Sequence, residues 1–174
     1  MQERAMQERV PNDSAVQSST STGRQTPSPG RADPVTRGRD ADEQFMAMLK
    51  AYRSTGGLVR TAEMLALFRS AGRTELASIT TMGRWIAARQ VICFDWQSQS
   101  WLPFFQFDRV ELTPLPVLAE VYAELSGICD AWALAVWFAR PKASLANRPP
   151  VDALAYNFPA VLQAARTDRL AAGG

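Results

Sequence analysis

Side chains that can bind nucleic acid lie close together in the middle of the sequence. Arg84 and Arg89 carry positive charges that can pair with phosphates or with guanine edges. The hydroxyl of Thr81 can contact a phosphate or a base, and the amides of Gln97 and Gln99 can donate to phosphates. We predict that these side chains bind double-stranded DNA. The alternative is that they form the ordinary solvated face of a packed module.

Catalytic chemistry is not indicated by the rest of the sequence. The chain has no histidine, which removes the commonest general base and the commonest metal ligand. Carboxylates can act without histidine, but here they are scattered and have simple roles as helix caps or solvated groups. The sequence also lacks a glycine-rich loop that could hold a phosphate. We therefore expect a protein that is not an enzyme and that uses neither a cofactor nor a metal ion.

The composition also indicates where the protein works. Cys93 and Cys129 are isolated and have apolar neighbours, which is typical of buried, reduced thiols in a cytoplasmic protein. No window approaches eighteen consecutive apolar residues, so a membrane span is not expected. The N-terminus lacks the basic-then-apolar layout of a secretory signal. We expect a cytoplasmic protein without membrane contact.

The N-terminal region differs from the rest of the chain. Residues 1–41 are rich in Ser, Thr, Gln, Arg, Pro and Gly, and they contain almost no large apolar side chain. Such a segment cannot bury enough surface to offset the entropy of ordering it, so we predict a disordered tail. Order is expected from Asp42, in a short helix that continues through Tyr52 and ends at Gly56.

Two helices are predicted next, and the second of them carries Thr81, Arg84 and Arg89. One helix begins with Thr61 as its N-cap and ends at Gly72. The next helix runs from Ser78 to Arg89, and the spacing of its apolar residues predicts two faces. The inward face has Ile79, Met82 and Ile86, and the outward face has Thr81, Arg84 and Ala88.

The hydrophobic period then changes from helical to strand-like. Residues 91–96 and 101–105 are rich in β-branched and aromatic side chains, and the polar residues 97–100 join them. This pattern predicts a β-hairpin in which Pro103 ends the second strand or lies on an edge. Helix, turn, helix and hairpin are the layout of a winged helix-turn-helix, whose second helix enters the major groove of DNA. We assign residues 42–113 to a module of this kind.

Residues 114–174 predict a helical bundle. Asp130 is expected to cap a helix that is apolar nearly all round, and Pro141 is expected to stop it. The predicted fold class is therefore mainly α with one β-hairpin: a winged helix-turn-helix-like module followed by a small helical bundle. The segment between Pro103 and Pro116 is too short and too apolar to be a free linker, so we expect the two modules to share a core.

Much of the ordered region resembles a bacterial arrangement. Residues 78–86, the hairpin and Trp101–Asp108 resemble a MerR-like winged helix followed by a proline-aromatic-Gln-Phe-Asp signature. The following region resembles the toxin-binding domain of Xre/MbcA/ParS-type antitoxins, through a Trp-x3-Pro-x3-Leu-x2-Arg-Pro pattern, and the resemblance covers residues 57–170. The matching residues are Trp137, Pro141, Leu145, Arg148, Pro149, Leu154 and Val161.

The resemblance implies an antitoxin. The partners of this family are RES-type toxins, which degrade NAD; the antitoxin's C-terminal helices cover the entrance of the toxin's active site, and its N-terminal module often represses its own operon. On this sequence, residues 114–174 would be the toxin-binding domain. The resemblance implies partner contacts by Arg148, Arg166, Arg169, Gly173 and Gly174.

Two other functions stay open on the sequence alone. One is a DNA-binding transcriptional regulator without a toxin partner, whose helical half forms a homodimer. The other is a protein-interaction adaptor that does not bind DNA. A modest local charge is compatible with all three, because residues 45–113 hold eight basic and five acidic side chains.

Overall fold

The computed structural model describes the chain from residue 34 to residue 173. The first helix, α1, spans Pro34–Ala51, so it begins upstream of the predicted start at Asp42. A proline is well tolerated in the first helical turn, and extending a helix outward from a packed region costs little. Residues 1–33 of the predicted disordered tail lie outside the described residues.

A three-stranded sheet and two helices follow α1 in the order of a winged helix. A 3-10 turn at Arg53–Thr55 precedes the sheet and two helices. These are β1 (Leu58–Arg60), α2 (Thr61–Ser70), α3 (Ile79–Ala87), β2 (Phe94–Trp96) and β3 (Gln99–Pro103). The strands are antiparallel in the order β1-β3-β2. The predicted hairpin is confirmed, whereas β1 was not predicted, because three residues are too few to show an alternating pattern.

Two local predictions in this region have different outcomes. Pro103 ends β3, as predicted, and its Cα partner on β1 is Leu58. The prediction that Thr61 caps α2 is wrong, since the cap residue is Arg60, whose backbone N–H donates to Glu63 Oε2 over 2.9 Å. The Thr61 hydroxyl instead donates to the carbonyl oxygen of Ser100 over 3.3 Å, so it ties α2 to β3.

The C-terminal region is a helical bundle, as predicted. Its helices are α4 (Leu118–Leu125), α5 (Ala131–Ala139), α6 (Pro150–Ala153) and α7 (Phe158–Gly173). Asp130 caps α5, because its Oδ1 accepts from the backbone N–H of Ala133 over 2.7 Å. None of the described helices is long and apolar enough to cross a membrane.

A shared core joins the two predicted modules. The larger hydrophobic cluster contains Phe45 of α1, Tyr52 just after it, Phe94 of β2 and the inner faces of α4, α5 and α7. Phe94 packs edge-on against Trp132, with ring centres 5.2 Å apart. A smaller cluster, including Phe68, holds α2, α3 and β3 together. The bundle therefore packs directly on the winged-helix elements, as the apolar connection predicted.

A buried glutamine also connects the two modules. Gln106 is fully buried, and its amide pairs with the backbone of Ile92. The Ile92 N–H donates to Gln106 Oε1 over 2.6 Å, and Gln106 Nε2 donates to the Ile92 carbonyl oxygen over 2.9 Å. The Tyr122 hydroxyl of α4 donates to the same Oε1 over 3.2 Å. The Gln106 side chain thus hydrogen-bonds to the loop that carries Ile92 and to helix α4 at the same time.

Gly56 is required by its conformation and by its neighbours. Its φ is 106°, and a Cβ added there would overlap the ring of Phe104. We expect Gly56→Ala to lower the free energy of unfolding by about 3 kcal/mol, because backbone strain and overpacking add. Gly57→Ala is the matched control: its φ is 80°, but open space surrounds the added methyl. Urea unfolding followed by tryptophan fluorescence measures both, and equal losses would contradict the steric part.

Candidate functional site

Helix α3 has the predicted inward Met82 and outward Arg84 and Ala88, but two other positions differ. Thr81 is only 7% exposed, and its Oγ1 accepts a hydrogen bond from Arg84 Nη2 over 3.3 Å. Ile79 is 68% exposed. The predicted outward orientation of Thr81 and inward orientation of Ile79 are therefore wrong. The packed face centres on Met82 and on the half-buried Trp85, whose ring centre lies 6.1 Å from that of Phe68, so it extends to Thr81 and leaves Ile79 at its margin.

Arg84 and Arg89 are both exposed, as a DNA-binding role requires. Neither forms an ion pair with another residue in the part of the chain that the structure describes. Arg89 lies just beyond α3, where it adopts a left-handed φ of 54°. Its N–H donates to the carbonyl oxygen of Ile86 over 3.0 Å, which closes the end of the helix. The two guanidinium groups are therefore held on a fixed backbone and are free to meet an anion.

The hairpin turn is tighter than predicted. Only Gln97 and Ser98 connect the strands, and both have a positive φ, of 48° and 60°. A two-residue hairpin turn of type I′ requires this conformation. Gln99 belongs to β3, and its Nε2 donates to the carbonyl oxygen of Ser98 over 3.2 Å. The amide side chains of Gln97 and Gln99 are exposed at the tip of the wing.

The recognition-helix groove, as we call it, lies between α3, the start of α2 and the hairpin. It has a volume of about 420 Å³, and Ile79, Gly83, Arg60 and Gln99 are among the residues that line it. The structure thus brings Gln99 together with α3 across this groove. Arg84 and Arg89 do not line it; Arg89 lines a smaller cavity of about 200 Å³ that reaches α4 and α5. Thr81 and Gln97 are also absent from the lining, so Gln99 alone of the five predicted DNA-binding residues lines the groove.

Two of the predicted partner-binding residues are engaged within the bundle. Arg166 Nε donates to Glu124 Oε1 over 3.0 Å. A guanidinium nitrogen of Arg169 lies 2.9 Å from Glu124 Oε2, in an ion pair without a hydrogen-bond alignment. Because Glu124 is mostly buried on α4, these two arginines tie α7 to α4. A partner would have to compete with Glu124 for them.

The other predicted partner-binding residues lie at the surface or at the end of the described chain. Arg148 is exposed, and its Nη1 lies 3.4 Å from the hydroxyl of Tyr156. Gly173 is the last residue of α7. Gly174 lies outside the described residues. All three arginines are exposed, but among the described residues Arg148 has no carboxylate partner, whereas Arg166 and Arg169 pair with Glu124.

Several residues that carry the resemblance to antitoxin domains pack inside this fold. Trp137 is buried, and its Nε1–H donates to Asp168 Oδ2 over 2.7 Å. Lys142 Nζ donates to the same oxygen over 2.6 Å and lies 5.0 Å from the centre of the Trp137 ring. Leu145 and Val161 are buried in the larger core. Together these contacts fix α7 against the end of α5.

The stability that the contacts among Trp137, Lys142 and Asp168 contribute depends on pH through the carboxyl group of Asp168. Burial opposes the charge of its carboxyl group, but hydrogen bonds from Lys142 and Trp137 outweigh burial and lower the pKa of Asp168. A carboxyl group with a lowered folded-state pKa stabilises the fold above its unfolded pKa, and this contribution is lost as the pH falls through the folded pKa.

We therefore expect Asp168→Asn to cost about 1 kcal/mol at pH 7, a figure reduced for partial exposure, and almost nothing near pH 2. Chemical denaturation at a series of pH values measures the difference. Asp152→Asn, at an exposed carboxylate outside the cluster, serves as the control. A gap between Asp168→Asn and the parent protein that stays constant down to pH 2 would contradict the assignment.

Cys93 and Cys129 are not joined to each other, and both are half-buried rather than buried as predicted. Burial raises the pKa of Cys93, although its contact with Thr61 opposes this effect. Burial is also the main reason why the pKa of Cys129 is raised. Both thiols are therefore protonated at neutral pH and are weak nucleophiles.

No cluster of three or more His, Cys, Asp or Glu side chains that could hold a metal ion occurs within residues 34–173.

Comparison with known proteins does not assign this chain to a family: no family model matches it, and searches of the curated proteins and of the solved structures return no match.

Sequence reasoning missed the polar residues that join the modules. Gln106 stands beside three phenylalanines and one proline in an apolar segment, and this setting is the signal that could have identified it as buried. Asp168 lies on a polar helix face and gives no comparable signal. Its pairing with Trp137 and Lys142 depends on contacts between residues 26 and 31 positions apart.

Proposed function

We propose that the protein is an antitoxin-like regulator, which binds operator DNA through α3 and the hairpin and binds a RES-type toxin through its helical bundle. The observation that carries the DNA half is the winged-helix order of elements, with the sheet order β1-β3-β2, in which α3 and the hairpin tip line one groove. The toxin half rests on the resemblance of the bundle sequence to antitoxin domains.

The exposed side chains support a specific mode of DNA contact. In a winged helix, the second helix of the helix-turn-helix enters the major groove and the wing meets the flanking backbone. Ile79, which is exposed at the start of α3, suits contact with a thymine methyl group, and Arg84 suits a guanine edge or a phosphate. Gln97 and Gln99 at the wing tip suit phosphate oxygens. Thr81 would contribute by orienting Arg84, since it is buried beneath that side chain.

Substitution of Arg84 tests the DNA half. We expect the protein to retard a fragment of its own promoter in a salt-sensitive manner. Arg84→Ala should weaken this binding by about 5- to 100-fold, which corresponds to the loss of one specific arginine contact. Arg140→Ala, which removes one exposed positive charge from the end of α5, is the matched control and should retain binding. Unchanged affinity for Arg84→Ala would remove α3 from the DNA interface.

Co-purification tests the toxin half. We expect a stable complex when the protein is co-expressed with the product of the neighbouring gene. Truncation of α7 is unsuitable for this test, because Val161 and Ala165 are fully buried and their loss would unfold the bundle. A protein that binds its promoter but forms no such complex would instead be a transcriptional regulator without a toxin partner.

A protein-interaction adaptor is the second candidate function. It is favoured by the character of the recognition-helix groove, because Arg60 is the one basic residue in its lining and the exposed Ile79 lies beside the small Gly83. Absence of promoter retardation at low salt, together with retained complex formation, would select this alternative.

A further inference from the structure

An apolar cleft lies where the winged helix meets the bundle. We call it the junction cleft. It has a volume of about 410 Å³ between the loop that follows the sheet and the start of the C-terminal helices. Phe105, Phe107 and Phe158 contribute aromatic rings to it, and Val110 and Val117 are exposed valines that line it. Clefts with mostly apolar walls and a few polar groups are the usual binding sites of proteins.

Val110 is held in place although it is 80% exposed. The carboxylate of Asp108 accepts from the backbone N–H groups of Val110 and Glu111 over 2.8 Å and 2.7 Å. Arg73 reaches across from the end of α2 to the carbonyl oxygen of Glu111, with its Nη2 at 2.9 Å. The turn that carries Val110 is therefore fixed on both sides. A turn whose backbone is already fixed loses little further backbone entropy when a partner covers it.

The surroundings of the junction cleft are positively charged. Arg109 lines it, and Lys50 and Arg53 line a shallow depression that adjoins it across residues 54–55. None of these three cations forms an ion pair with another residue of the described range. The two linings contain two carboxylates, Asp108 and Asp152, so the three cations exceed the lining carboxylates by one charge. The cleft thus combines an apolar lining with a cationic edge.

We infer that the junction cleft binds an acidic amphipathic segment of the partner protein. The apolar face of that segment would cover Val110 and Val117, and its carboxylates would meet Arg53 and Arg109. The N-terminal residues 1–33 of the same chain match this chemistry poorly, because they carry four arginines and four acidic residues and have no net charge. The inference rests on the proposed function and deepens it, since it moves the partner surface from α7 to the junction of the modules.

Affinity measurements with the purified product of the neighbouring gene test this surface. We expect Val110→Glu to weaken the complex by roughly 30-fold or more, as for a residue at the centre of an interface. Arg53→Glu combined with Arg109→Glu should slow association and reduce its dependence on salt. Met46→Glu, at an exposed methionine of α1, is the matched control and should leave affinity unchanged. Thermal unfolding of each variant checks that the fold is retained.

The outcomes separate the inference from the proposed function. If the parent protein binds and Val110→Glu binds equally well, the cleft is not the interface, while toxin binding stands. Leu170→Glu then tests α7 as the partner surface, because Leu170 is exposed on that helix. This variant should lose affinity for the partner only if α7 forms the contact. If the charge-reversed double variant associates as fast as the parent protein, the partner segment is not acidic. If the parent protein itself does not bind, the toxin half of the proposed function fails and the inference fails with it.

Discussion

Gln106→Ala is expected to lower the free energy of unfolding by about 4 kcal/mol. The substitution leaves the N–H and carbonyl groups of Ile92 and the hydroxyl of Tyr122 without their buried partner. Each buried polar group that loses its hydrogen bond costs about 1–3 kcal/mol, and the removed side chain also leaves a cavity. Because Gln106 is fully buried, water cannot replace these bonds without entering the core.

Guanidinium unfolding, followed by both circular dichroism and tryptophan fluorescence, measures this loss. Gln99→Ala is the control, since it removes the same side chain from an exposed position and should change stability by less than about 0.5 kcal/mol. Tyr122→Phe should cost about 1 kcal/mol, because it removes only one of the three bonds. If Gln106→Ala lowers the free energy of unfolding by less than Tyr122→Phe does, the amide of Gln106 does not hold the two modules together.

Phe138→Ala is also expected to lower the free energy of unfolding by about 4 kcal/mol, but for a different reason. Phe138 is fully buried at the centre of the larger core. Its ring lies 5.0 Å from that of Phe105, 6.0 Å from that of Tyr122 and 4.9 Å from that of Trp137, measured between ring centres. Truncation removes these contacts and leaves a cavity that rigid neighbours fill poorly.

The measurement for Phe138→Ala is again the unfolding free energy, with Phe138→Leu as the conservative comparison. Leucine refills most of the volume, so it should recover more than half of the loss. Because Phe105 follows the hairpin and Tyr122 belongs to α4, we expect both spectroscopic probes to report one coincident transition. Separate transitions for the two halves, with Phe138→Ala affecting only one of them, would contradict a shared core.

The secondary structure of this protein was largely readable from its sequence, because local patterns carry it. The capping role of Asp130 and the strand end at Pro103 follow from side-chain and backbone chemistry that acts within a few residues. The apolar character of the segment before α4 likewise predicted that the two modules share a core. Boundaries were less accurate: α1 begins at Pro34, where a polar sequence gave no hydrophobic period.

The candidate site was only partly predictable, because side-chain orientation depends on distant partners. Arg84, Arg89, Gln97 and Gln99 are exposed as expected. Helical spacing alone placed Thr81 outside and Ile79 inside, whereas the packed face of α3 centres on Met82 and Trp85 and includes Thr81 rather than Ile79. The pairing of Arg166 and Arg169 with Glu124 likewise joins residues more than forty positions apart.

The sequence by itself determined the element types, the helix-helix-hairpin order and the absence of histidine chemistry, since these depend on composition and on short-range periodicity. Tertiary structure alone decided which arginines have a carboxylate partner and which residues of α3 are exposed. It also placed Val110 at an apolar cleft that has a cationic edge. The physical reason is that a side chain's availability is set by the competition among all groups that fold against it. Most of those groups are remote in sequence.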